Sequence, residues 1–171
     1  LAGRHGRCCR FDESDARALG RTASGVRGIN IDDDDEVIGM IAYDPTAEDA
    51  SAHSLLVVSA HGYGKRSDFD EYRKTNRGGK GVKTLNITEK TGELVAMKNV
   101  TDENDLMIIN RSGITIRMAV SDIKVAGRAT QGVRLINIKD GDSIAAISAV
   151  NKSEEETPEQ PAEQSQEQTN E

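Results

Sequence analysis

The chain has 171 residues, enough for one domain or for part of a larger protein. Hydrophobic residues make up 36% of it, and no run of about 18 apolar residues occurs, which excludes a membrane-spanning helix. The formal net charge of −7 argues against nucleic-acid binding until the distribution of that charge is considered.

Charged residues are sorted along the chain. Residues 151–171 contain seven Glu and one Lys, whereas residues 1–150 contain 21 Lys or Arg and 22 Asp or Glu. Asp32–Glu36 is entirely acidic, and Lys65–Lys83 contains seven bases and three acids. This pattern indicates a basic edge, acidic turns and an acidic tail. Residues 151–171 also lack apolar periodicity, so we expect a disordered tail after a folded region of residues 1–150.

Three stretches of the sequence, 6–31, 62–87 and 113–138, align with one another without a gap. We call the units that begin at Gly6, Gly62 and Gly113 the first, second and third repeats. They start 56 and then 51 residues apart (62−6 and 113−62). A period near 50 residues is typical of propellers and solenoids, in which each unit packs against its neighbours.

Each repeat is predicted to supply four short strands. The first follows the opening Gly, and in the third repeat the alternation in Ile114–Met118 places Ile114, Ile116 and Met118 inside and Arg117 in solvent. The second strand follows a Gly-rich turn. The remaining strands are predicted, in chain order, at Val37–Tyr43, Ser54–Ala60, Gly81–Ile87, Leu94–Val100, Asp105–Asn110 and Ser143–Val150.

The predicted fold is therefore all-β, with about three four-stranded antiparallel blades and no helix beyond a turn or two. One strand is missing before the first repeat, so the sequence begins inside a unit. We therefore expect the chain to be a piece of a longer protein. We expect the first blade to expose a sheet edge there, at which the chain tends to associate.

Basic residues recur in the same positions of all three repeats. The first column is Arg10, Arg66 and Arg117; the second is Arg21, Arg77 and Arg128; the third is Arg27, Lys83 and Arg134. A core does not need these charges, because an unpaired buried charge is costly. Two interpretations stay open. The cations form a track for a polyanion, which the columns together favour, or they brace the loops by hydrogen bonding to carbonyl groups.

Patterns typical of an active site are absent from the sequence. Gly62-Tyr63-Gly64 lacks the third glycine of a dinucleotide site, and Gly78–Gly81 lacks the spacing of a phosphate-binding loop. The three His residues show no metal-ligand spacing. Cys8 and Cys9 are adjacent, which predicts reduced thiols in a cytosolic protein. Aromatic residues make up only 3%, which favours a duplex bound through its phosphates over a stacked single strand.

Several motifs together resemble the C-terminal domain of the DNA gyrase A protein, in the type IIA topoisomerase family. They are Gly62-Tyr63-Gly64-Lys65-Arg66, Tyr72-Arg73 with Asn76–Gly81, Asp105–Ile109 and Gly127–Leu135. The resemblance covers about residues 1–150. It implies a six-bladed β-pinwheel whose basic rim wraps duplex DNA, with this chain as its last three blades and the acidic tail. Residues 77–81 echo the family's Gly- and Arg-rich box, but they belong to a later blade than the box itself.

The resemblance also implies partners and site residues. The whole enzyme uses ATP and Mg²⁺ to introduce negative supercoils and combines the gyrase A protein with the gyrase B protein in a cytoplasmic heterotetramer associated with the chromosome. The catalytic tyrosine and the ATPase lie outside this chain, so we expect no activity and no cofactor from it alone. The expected DNA-binding residues are Arg10, Arg21, Arg27, Lys65, Arg66, Arg73, Arg77, Lys80, Lys83, Arg117, Arg128 and Arg134.

Two alternative functions stay open at this point. One is the corresponding domain of topoisomerase IV, which relaxes and decatenates DNA. The other is a non-enzymatic propeller that binds an anionic protein. The tail is a further hypothesis. Its glutamates compete with phosphate for the basic rim, so removal of residues 151–171 should tighten DNA binding at low salt, unless the tail serves solubility alone.

Overall fold

The computed structural model describes residues 1–152. The expected disorder of the tail therefore lies outside the described residues, apart from Asn151 and Lys152. The strands are β1 Ala2–Gly3, β2 Arg7–Cys8, β3 Val37–Gly39, β4 Ser54–Ser59, β5 Tyr63–Ser67, β6 Val82–Lys83, β7 Leu94–Val100, β8 Asn104–Asn110, β9 Thr115–Ala119, β10 Val133–Arg134 and β11 Ile144–Asn151.

These strands form three antiparallel sheets, with the orders β3-β1-β2-β6, β10-β5-β4-β7 and β11-β8-β9. The prediction of an all-β array of antiparallel blades is confirmed. Between residues 1 and 152 the helical segments are 3-10 turns of three residues, and none is long and apolar enough to cross a membrane.

Each of the first two sheets is completed by a strand from the following repeat, which we call the exchanged strand. The outer strand of the first sheet, β6, belongs to the second repeat, and its Val82 pairs with Cys8. The outer strand of the second sheet, β10, belongs to the third repeat, and its Val133 pairs with Gly64. The prediction that each repeat builds a blade from its own four strands is therefore wrong. Local sequence pattern predicts that a segment is extended, but it does not reveal which neighbour completes the hydrogen bonds.

The open sheet edge also lies elsewhere than predicted. The first sheet has four strands, because the short strand β1 pairs with both β2 and β3. The third sheet has three, and the outer edge of β9 pairs with no strand among residues 1–152. Val26 and Arg27, which occupy the position of β6 in the first repeat, lie in no strand. The sheet that lacks a fourth strand among residues 1–152 is thus the third one, and not the first.

The apolar residues fill two cores between successive sheets. Strand β4 is buried along its whole length, and its side chains alternate between the two cores. Leu55 and Val57 lie in the core with the first sheet, whereas Leu56 and Val58 lie in the core with the third. This double burial explains why residues 55–58 form an uninterrupted apolar run.

A 3-10 turn of each later repeat plugs the core that it shares with the preceding sheet. The turn Phe69–Glu71 contributes buried Phe69 and Tyr72 to the first core. The turn Val120–Asp122 contributes Val120 and Ile123 to the second core. These plugs join one repeat to the sheet before it.

The predicted alternation in β9 is only partly confirmed. Ile116 and Met118 are partly buried and pack against the second core. Ile114 was expected inside, but it is 49% exposed. In the second repeat the same position is Tyr63, which is 5% exposed under the exchanged strand. The exchanged strand, rather than the alternation, determines whether this position is buried.

Candidate nucleic-acid interface

The sheet orders place one edge of each sheet at the centre of the array and the other at its rim. Strands β3, β7 and β11 each end a sheet, and β7 contacts both β3 and β11. These three edges therefore converge. Strands β6, β10 and β9 end the same sheets on the opposite side. The outer rim is thus formed by β6, β10 and β9 and by the loops beside them.

The first column of arginines braces the array in two of its three positions. Arg66 is 8% exposed, and its Nε donates to the carbonyl of Ile123 at 2.6 Å. It also pairs with Asp102. Arg10 donates equivalently to the carbonyls of Phe69 and Tyr72, at 2.8 and 3.1 Å. The prediction that this column faces solvent is wrong for Arg66, because its guanidinium donates to the carbonyl of Ile123, directly after the plugging turn.

Arg117 completes the first column but differs in its surroundings. It is exposed and donates to Asp105 at 2.6 Å, within its own sheet. No following repeat lies beside it in residues 1–152, so the carbonyls that Arg10 and Arg66 contact have no counterpart there.

Lys65 is also buried, at 1% exposure. Its Nζ donates to the carbonyl of Gly127 at 2.6 Å and to that of Arg128. Burial lowers the pKa of Lys65 to about 8, against the partly opposing effect of Glu71. The lysine therefore holds the loop of the third repeat. Its charge was predicted to face DNA, but its side chain is buried.

Arginines of the second column bind the preceding repeat. Arg128 donates through Nε to the carbonyl of Glu71 at 3.0 Å and through Nη1 to that of Lys83 at 2.9 Å. Arg77 makes the equivalent contacts with the carbonyls of Asp15 and Arg27. The bracing interpretation is thus confirmed for these two residues. Both are only partly buried, so they also contribute charge at the surface.

The third column stays exposed. Arg27, Lys83 and Arg134 are all solvent-exposed, and the last two lie on the rim strands β6 and β10. Arg134 also donates to the Tyr63 hydroxyl at 2.8 Å, which lowers the pKa of that tyrosine.

Three further predicted cations are exposed as well: Arg21, Arg73 and Lys80. Within residues 1–152 their side chains have no hydrogen-bond or ion-pair partner, and the same holds for the side chain of Arg27. With Lys83 and Arg134, they are the predicted cations that the structure leaves most available to an external anion.

Sequence reasoning missed a fourth basic column. Arg17, Arg73 and Lys124 occupy the same register in the three repeats, and all three are exposed. Arg73 was predicted singly, whereas Arg17 and Lys124 were not predicted at all. The gapless alignment carried the signal, since 17, 73 and 124 are separated by the same 56 and 51 residues as the other columns.

The acidic turn Asp32–Glu36 is tied to its own sheet. Arg4 pairs with Glu36 at 3.7 Å, and Asp35 accepts from the backbone amide of His5 at 3.1 Å. Over residues 1–152, no group of three or more His, Cys, Asp or Glu side chains is arranged to hold a metal ion. The rim is therefore the candidate site, with charge as its chemistry.

Comparisons with known proteins agree with this architecture. The sequence matches the family described as DNA gyrase C-terminal domain, beta-propeller, over residues 1–44, 53–101 and 104–151. The chain belongs to this family. The DNA gyrase A protein of Staphylococcus epidermidis (strain ATCC 12228 / FDA PCI 1200) is 46% identical over 151 residues, which are 88% of this chain and 16% of the relative. The chain thus spans about a sixth of the length of that relative.

Two solved structures share the fold. A DNA gyrase A C-terminal domain superposes with a TM-score of 0.75 at 22% identity, covering 86% of this chain and 48% of that one. The C-terminal domain of DNA topoisomerase IV superposes with a TM-score of 0.76 at 19% identity, covering 88% of this chain and 46% of that one. The fold alone does not separate the two enzymes, but the sequence match is to the gyrase A protein.

Proposed function

We propose that the chain is a DNA-wrapping segment of the DNA gyrase A protein, which binds duplex DNA around its rim. The observation that carries this proposal is the exposed third column. Lys83 and Arg134 lie on the rim strands of successive sheets, and Arg27 holds the same position in the first repeat. Cations that recur once per repeat along one edge of the array match a ligand whose charges also recur, and duplex phosphates are such a ligand.

The rim binds the backbone of the duplex and does not discriminate bases. Its exposed cations are single Arg and Lys side chains on short strands and loops, and the described residues contain no helix to enter a major groove. Smooth bending of 20–30 base pairs costs about 1–6 kcal/mol, so several weak contacts share the work. Any preference among sequences then arises from the flexibility of the DNA.

In the whole enzyme this segment acts together with the rest of the gyrase A protein and with the gyrase B protein in a heterotetramer. Wrapping presents a DNA crossover of fixed hand to the gate, and ATP hydrolysis with Mg²⁺ drives negative supercoiling. The chemical steps belong to other parts of the enzyme, which works on the chromosome in the cytoplasm. The sequence match to the gyrase A protein supports this assignment over topoisomerase IV.

A salt titration of the 171-residue chain with a random duplex tests the proposal. The logarithm of the affinity should fall linearly with the logarithm of salt concentration, with a slope near −0.9 per phosphate contacted. The triple variant R27A/K83A/R134A should reduce the magnitude of that slope by about 2.7 if each side chain contacts one phosphate. Affinity that is independent of salt, or confined to one DNA sequence, would contradict duplex binding through the backbone.

A matched control removes the same number of charges outside the four basic columns. Lys98 lies on β7, which ends its sheet at the centre of the array. Arg111 lies in the turn between β8 and β9, and Lys139 lies in the turn before β11. K98A/R111A/K139A should leave the slope close to that of the parent chain. An anionic protein partner, the remaining alternative, predicts instead that random duplex binds weakly to all of these variants alike.

A further inference from the structure

The fourth column has no structural task within the described residues. Arg17, Arg73 and Lys124 are exposed, and between residues 1 and 152 none of the three side chains makes a hydrogen bond or an ion pair. Several of the predicted cations, by contrast, are committed to carbonyl groups as braces. A long cationic side chain that recurs in every repeat without an internal partner is available for an external anion.

The backbone on both sides of this column is fixed in the second and third repeats. Arg73 directly follows Tyr72, which is 2% exposed, and Lys124 directly follows Ile123, which is 1% exposed. The next residues form bridges to the preceding repeat, Lys74 with Arg10 and Val125 with Arg66. Because the preceding side chain is anchored in the core, Arg73 and Lys124 extend outward from rigid positions.

The second-column braces bring the third and fourth columns together. The guanidinium of Arg128 holds the carbonyls of both Glu71 and Lys83. Glu71 lies two residues before Arg73, so the backbone near Arg73 and the backbone of Lys83 are both held beside Arg128 where the second and third repeats join. Arg77 holds the carbonyls of Asp15 and Arg27 in the same way at the junction of the first and second repeats. The three cations of that junction are Arg17, Arg27 and Arg77.

We propose that each repeat junction is a composite phosphate-binding site of the wrapped duplex, with the fourth column as a second line of contacts beside the third. This inference rests on the proposed function. Arg77 and Arg128 donate to carbonyls through Nε and Nη1, and within residues 1–152 their Nη2 has no partner. Each junction therefore offers three cations from two repeats to neighbouring phosphates.

The junctions also contain acidic side chains. Asp15 and Glu71 are exposed, one at each junction, and each precedes the fourth-column residue by two positions. Three cations against one such carboxylate leave a net positive site. The carboxylates limit the affinity of a single junction, so binding requires several junctions along the same duplex.

The first experiment compares R17A/R73A/K124A with the parent chain in the salt titration. The salt slope should fall by about 2.7, as for R27A/K83A/R134A, and the unfolding transition should be unchanged because the replaced side chains make no hydrogen bonds or ion pairs within residues 1–152. The variant R17K/R73K/K124R keeps all three charges and should keep the parent slope.

Outcomes separate this inference from the proposed function. If the parent chain shows no salt-dependent duplex binding, the proposed function itself is wrong. If the parent chain binds and R27A/K83A/R134A lowers the slope, but R17A/R73A/K124A behaves like K98A/R111A/K139A, only the fourth column is excluded from the interface.

A double-mutant cycle tests whether a junction acts as one site. Arg73 and Lys83 belong to the same junction, whereas Arg17 and Lys83 belong to different ones. The losses of duplex affinity in R73A and K83A should combine with more than about a twofold departure from additivity, because the two side chains contact neighbouring phosphates. R17A and K83A should combine additively. Additivity in both pairs would show that the cations act independently and would overturn the composite site.

Discussion

The loops of the first and second repeats have matching sequence columns but different structures. In the second repeat, residues 67–87 include buried Phe69 and Tyr72 and the rim strand β6. In the first repeat, the corresponding residues 11–31 form no strand, and Glu13 and Ala16 stand exposed at the positions of Phe69 and Tyr72. The second loop lies against a preceding sheet, and the first has none among the described residues. The segment forms its rim strand where a preceding sheet lies beside it and where the repeat supplies the apolar side chains that pack against that sheet.

The largest expected difference in stability between the two loops is at Tyr72. Its side chain fills the first core, and its hydroxyl lies 2.6 Å from that of Thr84. Tyr72→Ala should lower the free energy of unfolding by about 3–5 kcal/mol, because a large buried side chain leaves a cavity. Glu13→Ala, at an exposed position, should change it by less than about 0.5 kcal/mol. Urea denaturation of both variants measures the difference, and similar losses would show that the two turns are equally packed.

A smaller effect is expected at the glycine that precedes the rim strand. Gly81 has φ 69°, and a Cβ built on it would clash with the carbonyl oxygen of Cys8. Gly25, its counterpart, has φ 78° but nothing within 4 Å. Gly25→Ala should cost about 1–2 kcal/mol for its positive φ alone. Gly81→Ala should cost about 3 kcal/mol, because it adds a clash with the partner strand.

Thermal unfolding of the two glycine variants provides the measurement. The matched backbone angles make Gly25→Ala the control for conformational strain, so the excess loss in Gly81→Ala reports the exchanged strand. Equal losses at the two positions would mean that the exchange contributes nothing to stability.

The smallest effect is a pH dependence at Lys65, which binds the loop of the third repeat. Burial lowers its pKa from 10.5 to about 8 in the folded chain. Between these values the unfolded chain binds more protons, so the contribution of Lys65 to stability rises with pH through this range and is lost as the pH falls through 8. The ammonium can move toward water on its flexible stem, which limits the change.

Lys65→Met provides the reference for this titration, because other groups also ionise at high pH. The difference in unfolding free energy between the parent chain and Lys65→Met should shift in favour of the parent between pH 8 and pH 10.5. A difference that stays constant over this range would indicate that the folded-state pKa of Lys65 is close to its ordinary value.

The sequence predicts the strands better than their partners. The gapless repeats and the apolar run at residues 55–58 were sufficient for an all-β array, because such patterns depend on local periodicity. The exchange of β6 and β10 was not predictable, since Val82 is equally suited to pair within its own repeat or with the one before. The prediction that Ile114 is buried was wrong for the same reason. Alternation shows which side chains share a face of the strand, but burial of that face requires a neighbouring strand or sheet.

The sequence predicted which positions carry recurring cations, but not which of these cations bind carbonyl groups and which face solvent. Arg66 and Arg134 are the same residue type in equally regular columns, yet one is buried against carbonyls and the other is exposed. The difference depends on which carbonyls the folded chain brings within reach. The fourth column was detectable in the same gapless alignment, since Arg17, Arg73 and Lys124 recur at the spacing of the third column and are likewise a mixture of Arg and Lys.

The strand exchange also bears on how such arrays gain and lose units. The sequence repeat and the sheet are out of phase, because every complete rim carries a strand encoded one unit later. If a whole repeat were deleted, the preceding sheet would receive the equivalent strand, glycine and arginine braces from the next repeat along. A deletion that ends within a repeat would remove the strand and leave its acceptor unpaired. Changes in unit number by whole repeats therefore preserve every junction, and the rim keeps one set of cations per unit at any length.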